Sequence, residues 1–235
     1  MPRKIDIAGA IVANDDKWIY DWFDMDATSP RDVRKQMDEA YANNEDIEVH
    51  INSPGGDVYA GSEIYTGLRD YPGDVVVKII GLAASAASVV AMAGKKVLIS
   101  PTAQLMIHNT WTIAAGNSED FKHEAKVLAS HDEGIANAYM LKTGMSQKEL
   151  RKLMDDTTYM SAQEAVRLKF ADEVMFDGSG VIKVVAVQHP APLSQEVLDR
   201  MRQHLKPTGK AATDAQAQAQ ARAQLQILKL KGETR

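Results

Sequence analysis

The chain contains no cysteine among its 235 residues, which removes disulfide frameworks and thiolate metal sites from consideration. Aromatic residues make up only 6% of it. The Lys and Arg residues form no dense patch interleaved with aromatics, so no nucleic-acid partner is expected. The longest uncharged apolar run, residues 79–94, is too short and too rich in Ala, Ser and Gly to cross a bilayer. The opening MPRKIDIAGA has no apolar signal core. Together these absences point to a soluble, cytoplasmic protein with no membrane partner. Metal-ligand spacing is also missing: His50, His123, His131, His189 and His204 pair with no carboxylate at a useful interval and read as solvated or structural. No metal and no cofactor is expected.

What is present is ordinary for a globular chain, with 45% hydrophobic and 25% charged residues. The charge is uneven. Residues 1–188 hold 19 Lys and Arg against 28 Asp and Glu, whereas residues 189–235 hold 8 against 4, which accounts for the net charge of −5. A mildly basic tail on an acidic body fits contact with an acidic surface and fits simple solvation equally well. Prolines at 190 and 192, the linker 207–210 and the low-complexity run AQAQAQARAQLQ mark off residues 188–235 from a domain spanning 1–187. Leu193–Leu205 suits a short helix, and the tail as a whole reads as disordered or conditionally helical.

Along the domain, strand and helix patterns alternate. Ile5–Val12 and Lys17–Phe23 read as strands, Ser29-Pro30 opens a helix, and Ile47–Ile51 is a strand that ends in the tight turn Asn52–Asp57. A helix to about Asp70 follows. Lys96–Ser100, Gln104–Ile107 and Val181–Val187 read as further strands. A long helix over about 118–141 stops at Gly144, and Phe121, Leu128, Ile135 and Tyr139 form its core-facing stripe. Capping boxes start at Ser146 and Ser161. The alternation predicts an α/β domain on a largely parallel sheet, with sites at the carboxyl ends of its strands.

The most informative stretch is 75–94, VVVKIIGLAASAASVVAMAG. A β-branched run ends at Gly81 and an Ala/Ser-rich helix follows, so Ser85 sits close to a strand-to-helix turn. There its hydroxyl would project beside the free N–H groups of the first helical turn. Small neighbours on both sides let a substrate backbone approach. Ser85 and Ser88 are equally compatible with close helix packing until a partner is found. His108, directly after a predicted strand, and Gly55-Gly56 after another fall on the same sheet edge.

INSPGGDVYAG (51–61), GLAASAASVVAMAG (81–94), LMIHNT (105–110) and YMSAQEAVRLKFADEV (159–174), in this order, resemble the Clp protease proteolytic subunit family of serine peptidases, over roughly residues 5–176. The Trp/Tyr-rich N-terminal segment and the AAS-AAS doublet resemble the phage branch of head maturation, or prohead, proteases. The resemblance implies a ClpP/crotonase-like spiral of βαβ units with a long handle helix. It implies Ser85 as nucleophile, His108 as general base, and the N–H groups of Gly56 and Ala86 as an oxyanion hole. Peptide would bind along Gly55, Asp57 and Val58 on one side and Thr110, Trp111 and Thr112 on the other, as an added strand against Asp57–Tyr59 and 110–114. The implied function is a serine endopeptidase cutting capsid or scaffold polypeptides. The alternatives are a ClpP paralogue that degrades unfolded chains with an AAA+ ATPase, and an assembly or scaffolding protein on the same fold. A homo-oligomeric ring, in single or stacked form, is implied; an ATPase partner is left open.

The third triad position departs from the family pattern. The acid expected two residues before Tyr159 is replaced by Thr157, with Asp155 and Asp156 just upstream. Asp156 is the preferred substitute, with Thr157 and Asp155 as alternatives. Lys169 stands where the family has a helix-closing glycine, so a strained backbone is expected there.

Overall fold

The computed structural model describes residues 1–176 together with Leu193, Leu198 and Asp199. Strands β1 (Arg3–Ile11), β3 (Ile47–Gly56), β4 (Val75–Ala84) and β5 (Lys96–Ile99) form the middle of an eight-stranded sheet, with β2 (Ala27–Thr28) and β8 (Glu173–Val174) at its ends. All of these pairings are parallel. Period-two burial explains the layering. Ile5 and Ile7, Ile47, Val49 and Ile51, and Val75, Val77 and Ile79 point into one core, while the residues between them face outward. The core face is covered by α2 (Pro30–Ala42), α3 (Val58–Asp70), α4 (Ala86–Ala91) and the C-terminal half of α5 (Ser118–Thr143), all within one cluster of buried side chains. The outward face carries charged neighbours instead: Glu48 accepts from Lys78 at 2.7 Å and lies 2.6 Å from His50.

Strand β4 divides between two partners. Its first half, Val76–Ile79, pairs with β5, and its last residues, Leu82–Ala84, pair with β6 (Gln104–Ile107). Strand β6 also pairs antiparallel with β7 (Thr158–Ser161), the one antiparallel ladder among the described residues. The chain between them runs through α5 and α6 (Gln147–Asp155), and α7 (Ala162–Arg167) follows β7. This split of β4 makes the functional corner, because it brings the end of β6 alongside the end of β4.

Three expected elements differ from the structure. Lys17–Phe23 is a helix, α1 (Lys17–Trp22), which buries Ile19, Tyr20 and Trp22 and not alternate residues. Asn52–Gly56 is the end of β3 and not a turn, because its backbone pairs with β1 (Ile11↔Gly56) and β4 (Ser53↔Ala83). Likewise β4 runs to Ala84, past Gly81, and the helix after it begins only at Ala86. In both cases a Gly- or Ala-rich sequence with weak strand preference is extended by its partners. Elsewhere the local signals hold. Ser29 and Ser146 form complete capping boxes, Ser161 caps α7, and Gly144 closes α5 in the left-handed region. Lys169 occupies that same region, with φ 64°, so its expected strain is present.

Helix α5 packs unevenly. Tyr139 is fully buried and Ile135 half-buried, but Phe121, expected on the core stripe, is exposed. The expected strand Val181–Val187 and most of the tail from 188 onward lie outside the described residues. Leu193 and Leu198, however, are buried at 8% and 4% exposure in a second cluster with Val12, Ile19, Tyr20, Trp22 and Phe23. Two side chains from beyond residue 187 therefore cover α1. Ending the chain at Gln188 is expected to uncover these aromatics and cost about 2–5 kcal/mol, the range for deleting a buried leucine. Thermal melting with tryptophan fluorescence checks this; an unchanged midpoint and spectrum would show that the two leucines contribute nothing.

Candidate active site

Ser85 is the single residue between β4 and α4. Its backbone lies at φ 54° and ψ −127°, far from the ordinary regions for an L-residue. Such strain persists only where surrounding structure over-determines it. Here the constraint is the register of β4 on β6: Ala84 pairs with Met106, and the Ser85 N–H donates to the Met106 carbonyl at 3.0 Å. Two residues beyond Met106, His108 leaves the end of β6, and its Nε2 lies 2.8 Å from Ser85 Oγ. Burial pushes the His108 imidazole below its ordinary pKa, opposed by the negative charge of Asp132.

Ser88, the other serine of the doublet, has a different task. It is fully buried; its Oγ donates to the Ser85 carbonyl at 2.6 Å and lies 2.7 Å from the Tyr139 hydroxyl. This ties α4 to α5 beneath the strained turn. Tyr139 is correspondingly pushed upward in pKa by burial and stays a neutral hydroxyl.

Gly55 and Gly56 sit beside the same turn at the end of β3. Gly55 has φ 90°, and its amide donates to Ser53 Oγ at 3.0 Å, which in turn donates to the Gly9 carbonyl at 2.6 Å. A Cβ on Gly55 would stand 2.5 Å from the Ala84 carbonyl oxygen and 2.7 Å from the Ser85 Cβ. Gly55 thus lets β3 close against the Ser85 corner, whereas Gly56 makes room for β1: a Cβ there would stand 2.1 Å from the Ile11 carbonyl oxygen. Gly61, one turn into α3, does the same for Ala86, whose Cβ is 2.9 Å from where a Gly61 Cβ would be.

The expected binding residues separate. Asp57 is the N-cap of α3, its carboxylate accepting from the Ala60 N–H at 2.7 Å, and Val58 begins the helix. The backbone at Val58–Tyr59 is helical, so it offers no strand edge; the extended chain ends at Gly56. Residues 110–117 are free of regular structure, with Thr110 half-buried and Trp111 and Thr112 exposed. Beside Ser85 and His108 lies a cavity of about 320 Å³. Its walls are mainly apolar: Val58, Tyr65, Val89, Ile135, Ala138 and Leu141. Tyr59 and His131 face each other at its rim, ring edge to face, with Tyr59 Oη 2.9 Å from His131 Nε2.

The three candidates for a third member are not against the histidine. Among the described residues, His108 hydrogen-bonds Ser85 and none of Asp155, Asp156 and Thr157. Asp155 is held by the Asn109 side-chain amide at 2.7 Å. Asp156 caps the end of α6 with its side chain exposed, and Thr157 turns through φ 49°. The ladder pairs Ile107 with Thr158, so its continuation sets Thr157 across from His108. The residue across from His108, where the sequence resemblance leads one to expect the acid, thus carries an uncharged side chain.

Asp132 was not among the sequence candidates. It is 6% exposed on α5, and its Oδ1 accepts from both the amide (2.7 Å) and the hydroxyl (2.8 Å) of Thr110. A signal for it was present: Leu128, Asp132, Ile135 and Tyr139 recur at helical spacing, so a carboxylate lies on the apolar stripe.

A mainly parallel α/β sheet with a histidine on a strained serine at its carboxyl edge is an arrangement that can support nucleophilic serine chemistry. The chain belongs to the Clp protease family, whose profile, described as Clp protease, matches residues 24–178. It is 32% identical over 133 residues to the ATP-dependent Clp protease proteolytic subunit of Deinococcus radiodurans. That match takes in 56% of this chain and 65% of the relative, so the chain spans just under two thirds of the relative's length. No helix among the described residues is long and apolar enough to cross a membrane.

Proposed function

We propose that this chain is a serine endopeptidase that hydrolyses polypeptide through Ser85. The observation that carries this reading is the 2.8 Å contact between His108 Nε2 and Ser85 Oγ. A serine hydroxyl alone is a poor nucleophile. A neutral imidazole at this distance takes its proton as Oγ attacks the scissile carbonyl, then returns a proton to the leaving amine. The Gly56 and Ala86 N–H groups are the proposed donors to the oxyanion, and water then releases the acyl group from Ser85. Residues 110–114 are the free backbone on which an extended peptide would lie, with one side chain in the apolar cavity.

The substrate we propose is capsid or scaffold polypeptide during phage head assembly, on the strength of the sequence resemblance to that branch. A homo-oligomeric ring would shield folded proteins from the site, and the exposed N-terminal half of α5, with Phe121, is the proposed contact between stacked rings. The ATP-dependent designation of the Deinococcus relative favours a second reading, degradation of unfolded chains with an ATPase partner. Incubation with a fluorophosphonate probe and peptide mapping tests the chemistry: label on the peptide containing Ser85 supports it, and an unlabelled chain overturns it. Cleavage of an unfolded protein only when an AAA+ ATPase is added would favour the second reading over the first.

Lowering of the His108 pKa by burial has a consequence for pH dependence. The base works as neutral imidazole, so kcat/KM should fall only as pH drops through that lowered value. The acid limb is expected below the ordinary imidazole range of about 6.5. A peptide-hydrolysis profile with its acid limb above that value would contradict the assignment.

A further inference from the structure

We propose that Asp132 is the positioning residue of this site, holding the segment that carries His108 and supplying the carboxylate charge that Thr157 does not. The inference rests on the serine-peptidase reading above and extends it to a residue on the handle helix.

The geometry comes first. Asp132 Oδ1 takes both donors of Thr110, the N–H at 2.7 Å and the hydroxyl at 2.8 Å. The Thr110 hydroxyl also lies 3.2 Å from the Leu128 carbonyl. Thr110 is two residues from His108, so α5 clamps the chain just where it leaves β6. Asn109, between them, is held to α6 through Asp155. The segment His108–Thr110 is thus fixed at three points: to Ser85, to α6 and to α5.

The charge is the second observation. Asp132 is nearly out of solvent, and its nearest cation is Arg151 on α6, with Nη1 3.6 Å from Oδ2. That distance is too long for a hydrogen bond, and the buried Arg151 Nη1 has no hydrogen-bond partner. The carboxylate is therefore only partly neutralised. The ionisable groups that line the adjoining cavity or bond to this segment and its clamp are Asp132, His131 and Tyr139 on α5, Tyr59 and Tyr65 on α3, and Arg151 and Asp155 on α6. Of these, Asp132 is the one whose charge acts on His108 and favours its protonated form. A carboxylate beside the imidazole stabilises the imidazolium that forms as Ser85 attacks, which is the electrostatic half of what a triad acid does. The other half, fixing the ring, passes through Thr110 and the backbone.

Asparagine separates the two contributions, since a side-chain amide in place of the carboxylate keeps an acceptor for Thr110 and loses the charge. In Asp132→Asn the His108 pKa, read by imidazole NMR titration on the full chain, should move down by about half to one pH unit, the order expected for loss of one nearby charge in a partly screened site. The acid limb of kcat/KM should move with it, and kcat should fall roughly tenfold or more while KM stays within about threefold. Arg151→Gln removes the opposing charge and should move both the titration and the acid limb upward. It also decides the matter if Asp132→Asn does not fold. A His108 titration unmoved by Asp132→Asn, or moved the same way by both variants, would overturn the proposal. The titration needs no turnover, so it reports on Asp132 even in a chain that hydrolyses nothing. Failure of the peptidase reading would appear separately, as absent labelling of Ser85.

Discussion

Ser85→Ala is expected to abolish fluorophosphonate labelling and to lower kcat for peptide hydrolysis by roughly 10⁵- to 10⁶-fold, with a trace rate from binding and the oxyanion donors. The size of the loss follows from the way the site works as a unit. Without Oγ, His108 has no hydroxyl to deprotonate, and the 2.8 Å contact that defines the centre is gone. Folding should be nearly untouched or improved, because alanine removes only the half-buried contact to His108 and the strained turn remains held through the Ser85 N–H and Met106. Ser88→Ala provides the contrast. It leaves the reactive hydroxyl in place but removes the partner of the buried Tyr139 hydroxyl. A stability loss of about 1–3 kcal/mol is expected, with labelling retained. Melting curves and labelling of both variants check the pair. If Ser88→Ala lost its label while Ser85→Ala kept it, the nucleophile would be the wrong serine.

The second large effect is expected at Gly55, far from any reacting side chain in sequence. At φ 90° an alanine is strained, at a cost on the order of 1–3 kcal/mol. The added Cβ would also press on the Ala84 carbonyl at 2.5 Å, the Ser85 Cβ at 2.7 Å and the Ala86 amide at 2.9 Å. All three belong to the backbone or first carbon of the nucleophile turn, and none can swing aside like the end of a flexible side chain. The turn must move, and displacement of about 1 Å at a catalytic group costs on the order of a hundredfold in rate. Gly55→Ala is thus expected to lower kcat/KM by about a hundredfold or more and to reduce thermal stability. Gly67→Ala is the control: its Cβ meets only the end of the Met37 side chain, at 3.5 Å, and it lies inside α3, where alanine is the better helix former by about 0.5–1 kcal/mol. Steady-state kinetics and melting of the two variants decide it; Gly55→Ala within threefold of the parent rate would show that β3 has room to spare.

Much of this protein was legible without its fold. The caps at Ser29 and Ser146 and the stop at Gly144 are properties of a few adjacent residues, and local backbone chemistry dictates them; the class of sheet followed from the alternation of strand and helix patterns, and the strain at Lys169 from the family resemblance. The four ordered motifs were enough for the family. Tertiary structure decided the rest. Asn52–Gly56 and Gly81–Ala84 are strands only because partners distant in sequence, Ile11 on one side and Gln104–Met106 on the other, supply their hydrogen bonds. The family resemblance singled out Ser85 over Ser88, but their different surroundings come from the register of β4 on β6, which puts one hydroxyl on His108 and the other on Tyr139. Helix α1 escaped notice because six residues carrying two tryptophans and a tyrosine satisfy either period, and burial against Leu193 and Leu198 settles which. Asp132 shows the same limit most clearly. Its charge looks misplaced on an apolar stripe until the fold sets Thr110 and Arg151 beside it, since a buried carboxylate is tolerable only where distant parts of the chain bring it donors and an opposing charge.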